Sequence, residues 1–245
     1  MKVHYDFSGR TVLIAGAASG IGHAMAWACQ QAGAQVVAGD VQAEGLRALS
    51  DAGMYTRRLD IAQTQAVDSW VLDVEQTFGR LDAAILTSAV QQRSPIEDTT
   101  DAQWQRHLDI NLSGVFKLIR AIVPIMKRQQ SGAIVTFTSG LAQNGWPGAA
   151  AYAATKAGLV GMVKCVAMEL RTHGVRINAV SPGLVTTPVF LDSASVDEIA
   201  NYEKALGLST PEEVVPTLMH LISDGAVHLS GNVVERRLIP RVPKS

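Results

Sequence analysis

Two side chains with acid–base chemistry lie close together in one predicted helix. Tyr152 and Lys156 are four residues apart in the helical pattern of residues 150–171, so they share one helix face. An ammonium group beside a phenol favours the phenolate, and Lys156 is therefore expected to lower the pKa of Tyr152 from its ordinary value of about 10. A tyrosine tuned in this way can exchange a proton with an alcohol or carbonyl oxygen. The alternative interpretation is a pair of surface residues, because this spacing is common by chance.

A glycine-rich turn follows the first predicted strand and leads into a helix. Its sequence is Gly16-Ala17-Ala18-Ser19-Gly20-Ile21-Gly22. Gly16 allows a tight turn, and the absence of side chains at Gly20 and Gly22 lets a pyrophosphate approach the backbone. The helix start offers free N–H groups and the positive end of its dipole to phosphates. The pattern predicts dinucleotide binding, although glycine-rich turns also serve packing alone.

Asp40 ends the second predicted strand, about 20 residues after the glycine turn. A carboxylate at this place accepts hydrogen bonds from an adenosine ribose and repels the 2′-phosphate of NADP. No arginine follows in Val41-Gln42-Ala43, so the sequence favours NAD as the cofactor. The alternative is a loop aspartate that caps the next helix.

Apolar, strand-like runs alternate with helical patterns along most of the chain. Strands are predicted over residues 11–15, 35–39, 55–59, 83–87, 133–138 and 176–181. Helices are predicted over 21–31, 43–51, 64–78, 101–128 and 150–171, with a further one starting at Pro211. Pro124 is expected to kink the last turns of the longest helix. The alternation predicts an α/β fold of Rossmann type, a doubly wound parallel sheet with helices on both faces.

The organisation and charge of the chain restrict the possible classes of function. Residues 1–245 are expected to form a single NAD(P)-binding domain, because repeats, low-complexity tracts and long linkers are absent. The more polar stretch after the last predicted strand indicates a substrate lid around residues 188–210. A net charge of −1 gives no indication of nucleic acid or an acidic membrane as partner. Without a signal-peptide core or an apolar run of ~20 residues, a soluble cytoplasmic protein is expected.

The cysteines and the basic C-terminal segment carry weaker expectations. Cys29 and Cys165 each lie in an apolar helical pattern and are expected to be buried free thiols. No spacing typical of metal ligands is present, so no metal is expected. Residues 235–245 include Arg236, Arg237, Arg241 and Lys244, and a solvated tail is the expected arrangement.

Several motifs stand in an order and spacing found together in one family. They are Gly16, Gly20, Gly22, Asn111, Ser139, Tyr152, Lys156 and Ser181-Pro182-Gly183. In these motifs the chain resembles the short-chain dehydrogenase/reductase family, over residues 9–187 and more loosely over 210–231. The resemblance implies an NAD(P)-dependent oxidoreductase that interconverts a secondary alcohol and a ketone, and a homo-oligomer, either tetramer or dimer.

The resemblance also implies roles for individual residues. Tyr152 would exchange the proton with the substrate oxygen, and Ser139 would hydrogen-bond to that oxygen. Lys156 would bind the nicotinamide ribose, and Asn111 would order a water that links Lys156 to solvent; a polar residue that kinks its helix is the alternative for Asn111. The other implied cofactor contacts are Ser19 and Ile21 at the pyrophosphate, Asp60 and Ile61 at the adenine, Ser88 through its backbone, and Val185 and Thr187 at the nicotinamide amide. Asp60 is alternatively the N-cap of the next helix.

The chain departs from the family pattern in places. Ala15 stands where the family usually has threonine, and Thr87-Ser88-Ala89-Val90 replaces the usual N-N-A-G. Near the C-terminus, Glu235-Arg236-Arg237 replaces the D-G-G of the common V-D-G-G motif. These departures motivate an alternative function, a catalytically silent dinucleotide-binding regulator or interaction protein. The complete set of implied catalytic residues favours the enzyme.

The expected substrate contacts follow strand ends or lie in the predicted lid. Besides Ser139, they are Gln91, Gln143, Trp146 and Phe190, with Leu141 and Val189 nearby. Trp146 and Phe190 favour an apolar substrate or, alternatively, pack within the lid or an interface. The amides of Gln91 and Gln143 can fix a polar group. No arginine or lysine is expected in this pocket beyond the catalytic lysine, which disfavours a phosphorylated or carboxylate substrate.

Overall fold

A parallel β-sheet forms the centre of the computed structural model, which describes residues 3–238 of the chain. Its strands are β1 (Thr11–Ala15), β2 (Gln35–Asp40), β3 (Tyr55–Arg58), β4 (Ala83–Leu86), β5 (Gly132–Phe137), β6 (Val175–Ser181) and β7 (Val233–Glu235). The described strands form one seven-stranded sheet in the order β3-β2-β1-β4-β5-β6-β7, and every neighbouring pair is parallel. The predicted doubly wound Rossmann-type fold is confirmed. The strand order reverses between β1 and β4, and ligands bind at such a point.

Helices cover both faces of the sheet. They are α1 (Gly20–Gln31), α2 (Arg47–Asp51), α3 (Thr64–Phe78), α4 (Asp101–His107), α5 (Val115–Gln129), α6 (Leu141–Asn144), α7 (Ala150–Leu170), α8 (Pro188–Leu191), α9 (Val196–Leu206) and α10 (Pro211–Ile222). No helix within residues 3–238 is long and apolar enough to cross a bilayer.

Each face of the sheet has its own apolar core. In β1, Val12 and Ile14 contribute to the core that also contains residues of α1 and α10. Leu13 and Ala15 contribute to the opposite core, with residues of α3, α5 and α7. Successive strand residues point to opposite faces, and both faces are buried, so β1 has an unbroken apolar sequence instead of an alternating one.

The segment predicted as one long helix is interrupted. After α4 ends at His107, residues Leu108–Gly114 form a π-helix, and α5 begins at Val115. Pro124, the expected site of a kink, lies inside α5, which continues beyond it. A π-helix has hydrogen bonds between residues i and i+5, whereas an α-helix has them between i and i+4. Apolar periodicity does not distinguish the two, so the sequence predicted a regular α-helix.

The two cysteines differ in their surroundings. Cys29 is buried, as predicted, whereas Cys165 is exposed, so that prediction was wrong. Helix α7 is apolar on nearly all sides, but the face with Leu159 and Val163 packs on the sheet while Met168 is exposed. In a helix without a clear polar face, the sequence does not show which side is buried.

Replacing Ile122 by alanine is expected to destabilise the fold strongly. Ile122 lies in α5, is fully buried, and belongs to the core shared with α3. The truncation removes buried methyl groups and leaves a cavity, so the free energy of unfolding should fall by about 2–5 kcal/mol in urea denaturation. Leu72→Ala on α3 is the control, because its side chain is half exposed, and it should change stability by no more than about 0.5 kcal/mol. Equal losses in both variants would contradict this assignment of the core.

Candidate active site

A cavity of about 1300 Å³ opens at the edge of the sheet where the strands have their carboxyl ends. Segments following all seven described strands contribute to its wall. Of the predicted site residues, all but Asn111 line this cavity: Gly16, Ser19, Gly20, Ile21, Gly22, Asp40, Asp60, Ile61, Ser88, Gln91, Ser139, Gln143, Trp146, Tyr152, Lys156, Val185, Thr187 and Phe190. The fold therefore brings together residues that are distant in sequence.

The glycine turn after β1 is too tightly packed for side chains. A Cβ atom on Gly16, whose φ is +90°, would lie 2.4 Å from Thr87 Oγ1, and one on Gly22 would lie 2.1 Å from the Gly16 carbonyl oxygen. The Thr87 hydroxyl lies within hydrogen-bond distance of two carbonyl oxygens, those of Ala15 (2.9 Å) and Gly16 (3.0 Å). This close packing holds the glycine turn, which follows β1, against the segment that follows β4.

The start of helix α1 is open to an anionic ligand. Ser19 is its N-cap residue in extended conformation, but the Ser19 side chain makes no capping hydrogen bond, and the first turn holds no acidic residue. The first backbone N–H groups of a helix lack partners within the helix. Together with the helix dipole, these groups suit the pyrophosphate of a dinucleotide.

Asp40 lies beside the glycine turn at the end of β2. Its Oδ2 accepts a hydrogen bond from the Ala18 backbone N–H (3.0 Å), and its Oδ1 accepts one from Gln42 N–H (2.9 Å). The alternative role as a helix cap is not observed, since Ala43 is the N-cap of the following 3₁₀ turn. The carboxylate instead joins the end of β2 to the phosphate turn and faces the cavity.

Asp60 and Ile61 form a second corner of the cavity after β3. Asp60 is exposed, and its Oδ1 accepts a hydrogen bond from Ala62 N–H (2.9 Å). The alternative role of Asp60 as N-cap of α3 is wrong, because that position belongs to Gln63. Ile61 is buried and packs where a Cβ on Gly114 would lie.

Ser139 and Tyr152 place two hydroxyl groups together at the cavity wall. Ser139 follows β5, and its Oγ accepts a hydrogen bond from Leu141 N–H (3.2 Å). Burial raises the pKa of the Tyr152 phenol to about 12, and a hydrogen bond with Ser139 opposes part of that increase. The decrease expected from Lys156 is not found. Removal of the phenol from water has the larger effect, so the phenol stays protonated at pH 7.

Lys156 is buried beneath Tyr152. Its Nζ donates a hydrogen bond to the Phe137 carbonyl oxygen (2.8 Å) and lies 5.6 Å from the centre of the Tyr152 ring. Burial lowers the pKa of the Lys156 ammonium to about 8. The Lys156 amine is therefore already neutral in the pH range where the Tyr152 phenol ionises, so it gives the phenolate no charge stabilisation there.

Asn111 lies in the middle of the π-helix and is fully buried. Its Nδ2 donates to the Val90 carbonyl oxygen (2.8 Å) and to Thr155 Oγ1 (3.3 Å), and its Oδ1 accepts from Val90 N–H (2.8 Å). The side-chain amide thus pairs with both the N–H and the carbonyl group of Val90, as the backbone of a neighbouring β-strand would. In this arrangement, Asn111 holds the segment after β4 against helix α7, and its predicted role in ordering a water stays a prediction.

Aromatic residues line the cavity next to the predicted lid. Trp146 packs on Tyr202 with ring centres 5.6 Å apart, and Phe190 lies 6.2 Å from the same Tyr202 ring. Tyr202, on α9, was not predicted as a site residue. Its aromatic side chain within the predicted lid was the signal that could have identified it. The amide of Gln143 is not free, because it donates to Glu235 Oε1 (2.8 Å).

The expectation of a cavity without arginine is wrong. Arginine side chains from three parts of the chain line it: Arg93, Arg106, Arg236 and Arg237. Arg93 was missed because it lies in an irregular segment after β4, and the sequence pattern did not show which way that segment turns.

Arg236 also contradicts the prediction of a solvated tail. Its guanidinium donates to the carbonyl oxygens of Pro182 (2.8 Å) and Glu213 (2.9 Å), and its backbone N–H donates to Ser181 O (2.9 Å). It therefore joins β7, the end of β6 and the start of α10. Arg241 and Lys244 lie outside the described residues.

Comparisons with known proteins agree with this geometry. The family model described as enoyl-(acyl carrier protein) reductase matches residues 16–235. The chain is 34% identical to the 3-oxoacyl-[acyl-carrier-protein] reductase of Thermotoga maritima, over 92% of this chain and 95% of that protein. The chain belongs to the short-chain dehydrogenase/reductase family. Membership places it among oxidoreductases that act on alcohols or ketones with a nicotinamide dinucleotide.

Two further members of this short-chain dehydrogenase/reductase family show how widely their substrates vary. The D-threitol dehydrogenase of Mycolicibacterium smegmatis is 33% identical, over 94% of this chain and 93% of that one. The crystal structure of a levodione reductase superposes with a TM-score of 0.90 at 29% identity, covering 94% of this chain and 97% of the other. Substrate preference therefore has to be inferred from the cavity of this chain.

Replacing Gly22 by alanine is expected to displace the phosphate turn. The new methyl group would overlap the Gly16 carbonyl oxygen, and relief of such overpacking typically costs about 1–3 kcal/mol. Urea denaturation should show this loss, and titration with NADH should show weakened binding. Gly161→Ala, in α7 with no atom near its Cβ position, is the control and should gain about 0.5–1 kcal/mol from helix propensity. Unchanged stability and NADH affinity in Gly22→Ala would contradict the described packing.

Proposed function

We propose that the protein is an NAD-dependent oxidoreductase that interconverts a secondary alcohol and a ketone, with Tyr152 as the acid/base. The observation that carries the proposal is the pair of hydroxyl groups on Ser139 and Tyr152, interacting at the wall of the cavity above the buried Lys156. Two adjacent hydroxyl groups can hold one substrate oxygen by two hydrogen bonds, and one of them can transfer a proton.

The raised pKa of Tyr152 keeps its phenol protonated, as the reduction of a ketone requires. In ketone reduction, the neutral phenol donates its proton to the carbonyl oxygen as a hydride reaches the carbonyl carbon. In alcohol oxidation, the phenolate takes the hydroxyl proton as the hydride leaves. Ser139 donates a hydrogen bond to the substrate oxygen in both directions. The bound nicotinamide supplies or accepts the hydride.

The cofactor fits the wall of the cavity on the side of the glycine turn. The open start of α1 with Ser19, Gly20 and Ile21 would hold the pyrophosphate, and Asp40 would accept hydrogen bonds from the adenosine ribose. Asp60 and Ile61 would contact the adenine, Ser88 would contact the cofactor through its backbone, and Val185 and Thr187 would contact the nicotinamide amide. Lys156 would reach the nicotinamide ribose after release from the Phe137 carbonyl.

The alternative of a silent dinucleotide-binding protein has less support. It rested on the altered residues Thr87-Ser88-Ala89-Val90 and on the basic C-terminal segment. Both changes are accommodated, because Asn111 pairs with the backbone of Val90 and Arg236 joins β7 to the end of β6. We propose instead a single catalytic domain over residues 1–245 with a substrate lid at 188–210. Exposed Phe116 and Met168 on α5 and α7 support the homo-oligomer, a tetramer or dimer.

Tyr152→Phe is expected to remove turnover and to preserve cofactor binding. The variant keeps the ring but loses the transferable proton, so kcat for secondary alcohols or their ketones should fall about 10²–10⁴-fold. The dissociation constant of NADH, measured by fluorescence titration, should stay within about twofold of the wild-type value, because the lost hydroxyl contributes little to the free energy of NADH binding. A folded variant that retains turnover would rule out the proposed role.

Asp40→Asn is expected to weaken the preference for NADH over NADPH. The wild-type protein should bind NADH more tightly, since the Asp40 carboxylate repels a 2′-phosphate. Removal of one charge at nearly unchanged shape should reduce the ratio of the two dissociation constants by about tenfold. Asp60→Asn makes the same change elsewhere in the cavity and should leave the ratio unaltered. Tighter binding of NADPH by the wild type would overturn the assignment to NAD.

A further inference from the structure

Arg93 has hydrogen-bonding capacity that the protein does not use. The side chain lines the cavity and is 18% exposed. Its Nη1 donates to Glu198 Oε1 on α9 (2.8 Å). Its Nε is buried and has no hydrogen-bond partner among the described residues. A buried N–H on a charged group without an acceptor is unfavourable and uncommon in folded proteins, so the atom marks a place where an acceptor is missing.

The unused part of the guanidinium has a defined chemical complement. Nη1, which holds Glu198, lies on one edge of the planar group, and Nε and Nη2 lie together on another. Two parallel N–H groups on one edge match the two oxygens of a carboxylate, which arginine binds in this bidentate manner. A neutral carbonyl or hydroxyl would pair with only one of them.

Arg93 lies where the catalytic wall meets the lid. The backbone N–H of Ser94 donates to Gly148 O (2.9 Å), so Arg93 sits beside the stretch that leads into α7 and Tyr152. On the other side, Glu198 is one helical turn before Tyr202, which contacts Trp146 and Phe190. A substrate whose oxygen is held by Tyr152 would therefore share one cavity with these aromatic rings and Arg93.

We propose that Arg93 binds a carboxylate of the substrate, and that the substrate class is a hydroxy acid or oxo acid with an apolar body. The proposal rests on the proposed function, because the reacting carbon is placed at Tyr152. Glu198 keeps the guanidinium in position from the lid. It is partly exposed and so remains solvated while the edge with the buried Nε opens to admit a second carboxylate.

The test compares oxo acids with their methyl esters as substrates for reduction by NADH. Suitable pairs of graded length are 3-oxobutanoate, 4-oxopentanoate, 5-oxohexanoate and 4-acetylbenzoate, each with its methyl ester. For the best pair, wild-type kcat/KM should favour the acid, and Arg93→Leu should lower kcat/KM for the acid about 10- to 100-fold. For the ester, the change should stay below about threefold.

Two control variants separate substrate binding from other roles of Arg93. Glu198→Gln breaks the ion pair with the lid but leaves the free edge of Arg93, so preference for the acid should persist. Arg106→Leu removes the same charge from another part of the cavity wall and tests general electrostatic attraction. Equal decreases in kcat/KM for acid and ester in Arg93→Leu would show that Arg93 only holds the lid in place and does not bind the substrate. An acid-specific loss of the same size in Arg106→Leu would also overturn the proposal.

Binding measurements decide the proposal independently of turnover. The same acids and esters are titrated into the complex of the protein with NADH, with nicotinamide fluorescence as the signal. Tighter binding of the acids that is lost in Arg93→Leu supports the carboxylate site even if no compound is reduced, a result that would count against the proposed function alone. Equal affinities for acids and esters in the wild-type protein would overturn the carboxylate site, whatever the activity.

Discussion

The site depends on close contact between the turn after β1 and the segment after β4. These neighbouring strands diverge into different connections at the point where the strand order reverses, and the gap between them becomes the ligand site. The Thr87 hydroxyl lies within hydrogen-bond distance of the carbonyl oxygens of Ala15 and Gly16. This approach is possible because Gly16 and Gly22 have no side chains. Helix α1 begins directly after this turn, and Val90 follows Thr87 in the segment after β4.

The parts of the fold with strong local signals could be predicted from the sequence. Buried parallel strands are continuous apolar runs, and a glycine-rich turn between a strand and a helix is typical of phosphate binding, so the first six strands and the turn were placed correctly, whereas the short β7 was not predicted. Tyr152, Ser139 and Lys156 were found because strand ends and helix spacing bring them to one edge. Each of these inferences uses only residues near one another in the chain or at one edge of the sheet.

The remaining features depend on contacts between distant segments. The π-helix is accompanied by pairing of Asn111 with Val90, and apolar periodicity contains no sign of that pairing. The raised pKa of Tyr152 results from burial by the complete fold, which a two-residue argument leaves out. Arg93 and Arg236 have partners 105 and 54 positions away, so a local interpretation leaves them as ordinary surface charges.

The proposed lid, residues 188–210, is attached differently from the rest of the molecule. Helix α9 has no fully buried residue, whereas α10 buries a series of apolar side chains against the sheet. The lid is held by the Val185–Ser209 bridge at its base, the ion pair of Arg93 with Glu198 and the rings around Tyr202. Since little apolar surface is exposed when these few contacts break, the lid can open as a cooperative unit at a free energy below that of global unfolding. In hydrogen exchange, its amides would form a separate class that exchanges while the sheet remains intact.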